Sequence, residues 1–312
     1  MSNTEEQPRV YPISAILNLA IAGLQIAALL SLLWLSGRVE IGWLLILISV
    51  GYGIVMNSGY AMMHEAEHNI LHPNRRINDA VGVTLGLFFP APFHLLRQGH
   101  LGHHLRNRSD DEAFDFYFEG ENPVWKFIQL YGILTGLFWI TIVLSNFLAL
   151  IIPNLLKPKF VAFDRPTAAL LESLNPKFQL LVRWEALGVV MLHCFLIWIW
   201  HIPIINYFIV IAGFGVIWSA LQYVHHFGTV RDVQKGALNL KTFTLLDIIW
   251  LNHNWHLNHH LNPTVPWIYL PFLENENGKK RGSLLIAYIR MWRGPRFTKE
   301  RVQNRYAGKV IR

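Results

Sequence analysis

The chain has 312 residues, 53% of them apolar and 15% charged, with a mean hydropathy of +0.30 and a net charge of +7. A chain this apolar is solvated largely by lipid, which excludes a water-soluble globule and leaves nucleic acid outside the expected partners. Its single cysteine, Cys194, excludes a disulfide framework and a cysteine-ligated iron–sulfur cluster.

About 20 apolar residues cover the hydrocarbon core of a bilayer, and the first such stretch is 13–35. It is too long for a signal-peptide core and its leader, MSNTEEQPR, is acidic, so an uncleaved span is expected. A second span follows at 41–62, and directly after it comes HEAEH at 64–68. Segment 80–96 is too short to cross and is broken by Pro90 and Pro92, so it should lie on or dip into the interface. HLGHH at 100–104 comes next, and then a further apolar stretch at 127–152. Spans are expected again at 185–200, with Cys194 a buried apolar residue inside it, and at 203–224. A third cluster, HLNHH at 256–260, precedes a basic tail that begins at Lys279. The simplest role for that tail is an anchor to anionic lipid, and docking of an acidic electron donor is the sharper one.

At this histidine frequency an H-x-x-H-H pattern should arise by chance about 0.03 times, yet it occurs twice, beside a third i,i+4 pair. Joining all three clusters in one site constrains the topology. An even number of crossings must separate His104 from His226, and three apolar segments lie between them. The loop after 152 carries Lys157, Lys159, Arg165, Lys177 and Arg183 against Asp164 and Glu172. That excess belongs on the cytoplasmic side with Arg75, Arg76, Arg97, Arg106 and Arg108. Segment 127–152 is therefore expected to be a re-entrant or in-plane helical pair. The expected fold is an all-α integral membrane protein: four transmembrane helices, one non-crossing segment and a cytoplasmic helical cap that carries the histidines. No linker or repeat divides residues 1–312, so one domain is expected.

On a helix His64 and His68 share a face, as do His100, His103 and His104, and again His256, His259 and His260. Neutral imidazole suits iron, copper, nickel and zinc alike. Eight candidate donors are too many for one zinc ion, which about four satisfy. Two metals with four or five nitrogens each is the natural division.

The combination H-x3-H, H-x2-HH and H-x2-HH, threaded between paired spans, resembles the membrane fatty acid desaturase/hydroxylase superfamily over roughly residues 40–270. HEAEHN, ending in Asn69, resembles the first box of sphingolipid desaturases, and HHLNPTVP at 259–266 resembles a third box followed by spaced prolines. QYVHHFG at 222–228 is similar to the N-Y-x-x-H-Y-G element of alkane monooxygenases. The resemblance implies two iron ions cycling between Fe2+ and Fe3+, with O2 as co-substrate. It adds His226 as a ninth ligand, leaves His225 beside the ligands, and sets Gln222 where relatives often carry Asn. It also implies a lipid or acyl substrate and an external electron donor of ferredoxin, rubredoxin or cytochrome b5 type. A desaturase is favoured over a hydroxylase of an alkyl, acyl or carotenoid substrate.

Two rival readings use fewer of these residues. HEAEH also fits H-E-x-x-H, with Glu65 as general base and Asp247 as a distant third ligand of an intramembrane zinc protease. A non-catalytic metal carrier is the other. Carboxylates that could orient the imidazoles are Glu65, Glu67, Asp110, Asp111 and Asp115, and Asn252, His253 and Asn254 could stand behind them. His193 and His201 are expected to be hydrogen-bonded structural residues, and His72 and His94 interfacial ones. Trp198, Trp200, Trp250 and Trp267 should mark the headgroup belt.

Overall fold

The computed structural model describes residues 11–273 and 280–311; the acidic leader and Lys279 lie outside them. In chain order the described elements are α1 (Ala15–Ser36), α2 (Trp43–Glu67), α3 (Arg75–Phe88), α4 (Phe93–Arg106), β1 (Phe116–Tyr117), α5 (Pro123–Thr135), α6 (Leu137–Ile151) and α7 (Arg165–Ser173). They continue with α8 (Gln179–Trp200), α9 (Ile204–Leu221), β2 (Leu240–Lys241), α10 (Thr244–Ile249), α11 (His256–Leu261), β3 (Gly282–Ser283), α12 (Leu284–Met291) and β4 (Arg296–Phe297).

Among the described residues four helices, α1, α2, α8 and α9, are long and apolar enough to cross a membrane, and up to six segments are if each of two bent pairs is one span. The span expected at 185–200 starts earlier, since α8 begins at Gln179. Its first turns mix Gln179, Arg183 and Glu185 with exposed Leu180, Leu181 and Trp184. The polar residues hide the apolar ones from a hydropathy average, although a helix of 16 residues, about 24 Å, falls short of a bilayer core of about 30 Å. Similarly, α2 runs past 62 to Glu67 and so carries His64 in its last turn.

Helices α2 and α9 pack most closely, and small residues allow it. Ser49 Oγ donates to the Ile209 carbonyl at 2.9 Å across this contact, and a side chain at Gly213 would collide with Ser49. At one end of the bundle Asn206 Nδ2 donates to the Ser36 and Val39 carbonyls, both at 2.8 Å. At the other, Asn18 Nδ2 donates to Leu71 O at 2.8 Å and Trp267 Nε1 donates to Asn18 Oδ1 at 3.0 Å. These buried amides thus find protein partners, as a medium poor in water requires.

Two helix pairs are sharply bent, α3–α4 by 101° and α5–α6 by 88°. The first breaks at 89–92, around the two prolines that stop a helix from continuing. The second turns at Gly136, whose φ of +95° is left-handed. Both ends of α5–α6 come back to the Asn18 end of the bundle. Trp125, in the first turn of α5, donates to Asp164 at 3.3 Å beyond α6, while Arg183 of α8 reaches Leu150 O at 3.5 Å. The expected non-crossing segment has the geometry of a pair that returns.

Several expectations fail at the level of single residues. Cys194 is exposed on the outer face of α8, because the helix turns that face to lipid and not to its neighbours. His94 is not interfacial: α4 starts deep in the bundle, and the buried ring lies 2.5 Å from Glu185. His193 does hydrogen-bond, to Leu87 O at 2.8 Å and Tyr207 at 2.9 Å. His201 does not; it is exposed and caps α8 through a backbone at φ +51°. Trp250 and Trp267 are buried, donating to Ile54 O and Asn18, so neither belongs to a headgroup belt.

The fold is helical as expected, and its little sheet is two parallel ladders of two residues each, β1 with β4 and β2 with β3. They fasten the basic tail to the rest of the chain, so several of its arginines contact protein rather than lipid. Arg281 pairs with Asp247 at 2.8 Å, and Arg301 with Asp110 at 2.7 Å while lying over Phe118.

Candidate metal centre

The three clusters arrive at one place from three helices, α2, α4 and α11, and His226 joins them from the turn after α9. The last turn of α2 brings His64, and His68 caps that helix. The left-handed backbone of Asn69 (φ +60°) then turns the chain away, a conformation asparagine tolerates better than most. The carbonyls freed at this helix end are taken up by side chains: Asn78 Nδ2 donates to Ala66 O at 2.9 Å and Arg97 Nε to Glu67 O at 3.0 Å. Arg97 lies on α4, so one residue ties α2 to the helix that carries His100, His103 and His104. Helix α11 has only six residues and needs outside support. Asn258, fully buried at its centre, donates to Leu270 O at 2.8 Å and Leu273 O at 3.1 Å, and accepts from Asn239 at 2.9 Å.

The nine histidines converge in two groups. His64, His68, His100, His104 and His259 form one, and His103, His226, His256 and His260 the other, with ligand-capable atoms in each group within 4.8 Å of one another. In the first group, Nε2 of His100 lies 2.7 Å from that of His68 and 3.0 Å from that of His104, while His259 Nε2 is 2.9 Å from His104 Nε2. In the second, His256 Nε2 is 3.1 Å from His226 Nε2 and 3.2 Å from His260 Nε2. Two nitrogens bound at right angles to one metal, each about 2.1 Å from it, stand about 3.0 Å apart. A neutral imidazole has one donor and one acceptor nitrogen, so one nitrogen serving several neighbours at this range suits lone pairs aimed at a shared cation better than hydrogen bonds. His64 Nε2 is buried with no hydrogen-bond partner, which a metal would supply.

Protonation points the same way. Burial, reinforced by neighbouring rings, holds His226, His256, His259 and His260 well below the usual histidine range, so each stays neutral and able to ligate. His226 Nδ1 lies 2.8 Å from the Gly236 carbonyl, which keeps the proton on that nitrogen and leaves Nε2 to face the group.

The other candidates fall around this core. His225 belongs to neither group; its Nε2 faces Asn254 Oδ1 at 3.2 Å, and Asn254 donates onward to Asp247 at 2.9 Å. Gln222 donates to Trp218 O at 3.1 Å. With His253, Asn57 and Tyr60, these residues line a cavity of about 20 Å³, room for about one water. The His253 ring sits between the groups, 4.9 Å from the His64 ring and 5.4 Å from that of His256. Asn252 lies apart, its side chain 3.5 Å from Trp267 O.

None of the five carboxylates singled out in the sequence hydrogen-bonds an imidazole. Glu65 accepts from the Trp267 amide at 3.0 Å, and Glu67 keeps one buried oxygen without a partner. Asp110 pairs with Arg231 and Arg301, Asp111 with Arg165, and Asp115 with Arg108. Glu65 Oε1 comes no nearer than 4.0 Å to His64 Nδ1, whereas a carboxylate not singled out, Glu112, brings its Oε2 to 3.3 Å from His103 Nδ1. Burial pushes Glu112 up, but Arg106 and His103 more than offset it and hold the carboxyl below its usual value. No spacing rule marks Glu112, because its approach depends on how the chain turns after α4.

A family model for fatty acid desaturases matches residues 41–292, a stretch that contains all three clusters and His226. No curated protein matches the chain.

Proposed function

We propose that this chain, which belongs to the fatty acid desaturase family, is an O2-dependent di-iron enzyme that introduces a double bond into a lipid acyl chain. Family membership makes it a membrane oxidoreductase of the desaturase/hydroxylase type. The observation that carries the finer reading is the division of nine buried or half-buried histidines into groups of five and four. An all-imidazole donor set suits iron among other first-row metals, and family membership favours iron. In this reading His64, His68, His100, His104 and His259 hold one iron and His103, His226, His256 and His260 the other.

The irons and dioxygen would supply an oxidant strong enough for an unactivated C–H bond, which side-chain acid–base chemistry cannot break. The overall balance is one methylene pair, O2, two electrons and two protons giving one alkene and two waters. The protein's share is to fix the rings. The Gly236 carbonyl sets the His226 tautomer, Arg97 joins the first two histidine elements, and Asn258 holds the third. Electrons come from a separate donor of ferredoxin, rubredoxin or cytochrome b5 type. The histidine end faces the cytoplasm in this reading, supported by exposed Arg75, Arg76 and Lys177 at that end.

Two features weigh against the protease reading. The Glu65 carboxylate is engaged by the Trp267 amide, and Asp247 accepts from Thr242, Asn254 and Arg281. Expression in a host followed by lipid mass spectrometry, with metal analysis of the purified chain, tests the proposal. A loss of two daltons in a lipid class with two irons per chain supports it. A gain of sixteen daltons makes the enzyme a hydroxylase, and one zinc with no lipid change overturns it.

A further inference from the structure

The two histidine groups are supported differently, and the difference lies in one segment. Residues 107–115 leave the end of α4 and run beside the turn that carries His226. Glu112 Oε2, buried and without a hydrogen-bond partner of its own, stands 3.3 Å from His103 Nδ1 as a charge contact, and its other oxygen is 3.5 Å from Arg106. Asp115 touches no histidine but brackets one. Its Oδ1 accepts from Arg108 Nη1 at 2.6 Å and from the Tyr223 hydroxyl at 2.7 Å. Its Oδ2 accepts from Arg108 Nη2 at 3.1 Å and from the Gly228 amide at 2.8 Å. Tyr223 precedes His226 by three residues and Gly228 follows it by two, so one carboxylate grips both sides of that histidine. Arg108, entirely buried, adds a bond to Thr229 O at 3.0 Å, and Asn107 donates to Val233 O at the same distance. His103 and His226 both belong to the four-histidine group, and neither acid contacts a ring of the five-histidine group.

We infer that this segment controls metal occupancy of the four-histidine group alone, with Glu112 acting as a positioning residue on His103 and Asp115 on the turn of His226. The inference rests on the reading that both groups hold metal. Its chemistry is specific. The Nδ1–H of a ligating histidine is polarised by a facing carboxylate, which raises the donor strength of Nε2, and an amide does this less well. At Asp115 an amide fails for another reason. Both oxygens accept two bonds each, and an NH2 group in place of either would face donors.

Glu112→Gln and Asp115→Asn, made separately in the full chain, test this by metal content and Mössbauer spectrum after anaerobic loading with ferrous iron. A group of five nitrogens and a group of four should give two distinguishable signals in the unaltered chain. Each variant is expected to lose one of them, as metal affinity of one group falls about 10–100-fold, so that iron drops from two to about one per chain. Glu112→Asp should restore part of the loss. Retention of both signals in both variants overturns the inference. So does loss of both in parallel with the folded fraction measured by size-exclusion chromatography, since that marks a purely structural segment. An unaltered chain that binds no pair of irons overturns the di-iron reading itself, a result read before any variant is compared.

Discussion

His225 and His226 are adjacent and both buried, yet their surroundings assign them different work. His226 points Nε2 into the four-histidine group while its Nδ1 faces the Gly236 carbonyl. His225 turns the other way, toward Asn254, with burial pulling it down to about 3. His226→Ala should therefore remove metal from one group and abolish activity, whereas His225→Ala should retain two metals per chain. Metal analysis of the purified variants decides it, and the reverse result would exchange the two roles. The spacing of the three boxes was legible because helical periodicity is local: residues four apart share a face wherever the helix lies. Glu112 was not, since its approach to His103 depends on the turn after α4. Nor was the exposure of Cys194, which depends on which face of α8 meets a neighbour.

Among the elements, the bent pair α5–α6 depends most on a single position. Gly136 adopts φ +95°, and a Cβ there would lie 3.0 Å from Val216 Cγ2 and 3.2 Å from Val216 Cα. Left-handed backbone costs an L-residue about 1–2 kcal/mol, and backbone crowding adds to it. Gly136→Ala should lower the stability of the detergent-solubilised protein by at least about 1 kcal/mol, seen as a lower thermal midpoint; an unchanged midpoint would show that the bend is held elsewhere. Parity of crossings implied that 127–152 does not cross, and the contacts of Trp125 and Arg183 agree. The early start of α8 is not legible in the sequence because its polar first turn dilutes the hydropathy. Nor are the two short ladders, since strands of two residues have no periodicity to read.

For the molecule as a whole, the contacts of Asn18 and Asn206 mark opposite ends of one bundle. The loop before α3, the loop before α8 and the histidines share the Asn18 end, while Arg38, between α1 and α2, lies at the other. In a Cys194→Ala background, Arg75→Cys and Lys177→Cys should react with a membrane-impermeant maleimide from one side, and Arg38→Cys from the opposite side. In intact cells only Arg38→Cys should label if the histidines face the cytoplasm; labelling of Arg75→Cys there would invert the orientation. The sequence by itself determined that this protein lives in lipid and that it carries three histidine clusters, eight imidazoles at ligand spacing. Those properties reside in composition and in spacings within a single turn of helix. Only the tertiary structure divided the histidines into five and four, aimed His226 at one group and His225 at Asn254, and set Glu112 and Asp115 beside one group. These are contacts between segments up to about 200 residues apart, brought together by the packing of α2, α4, α9 and α11, and no local pattern encodes them.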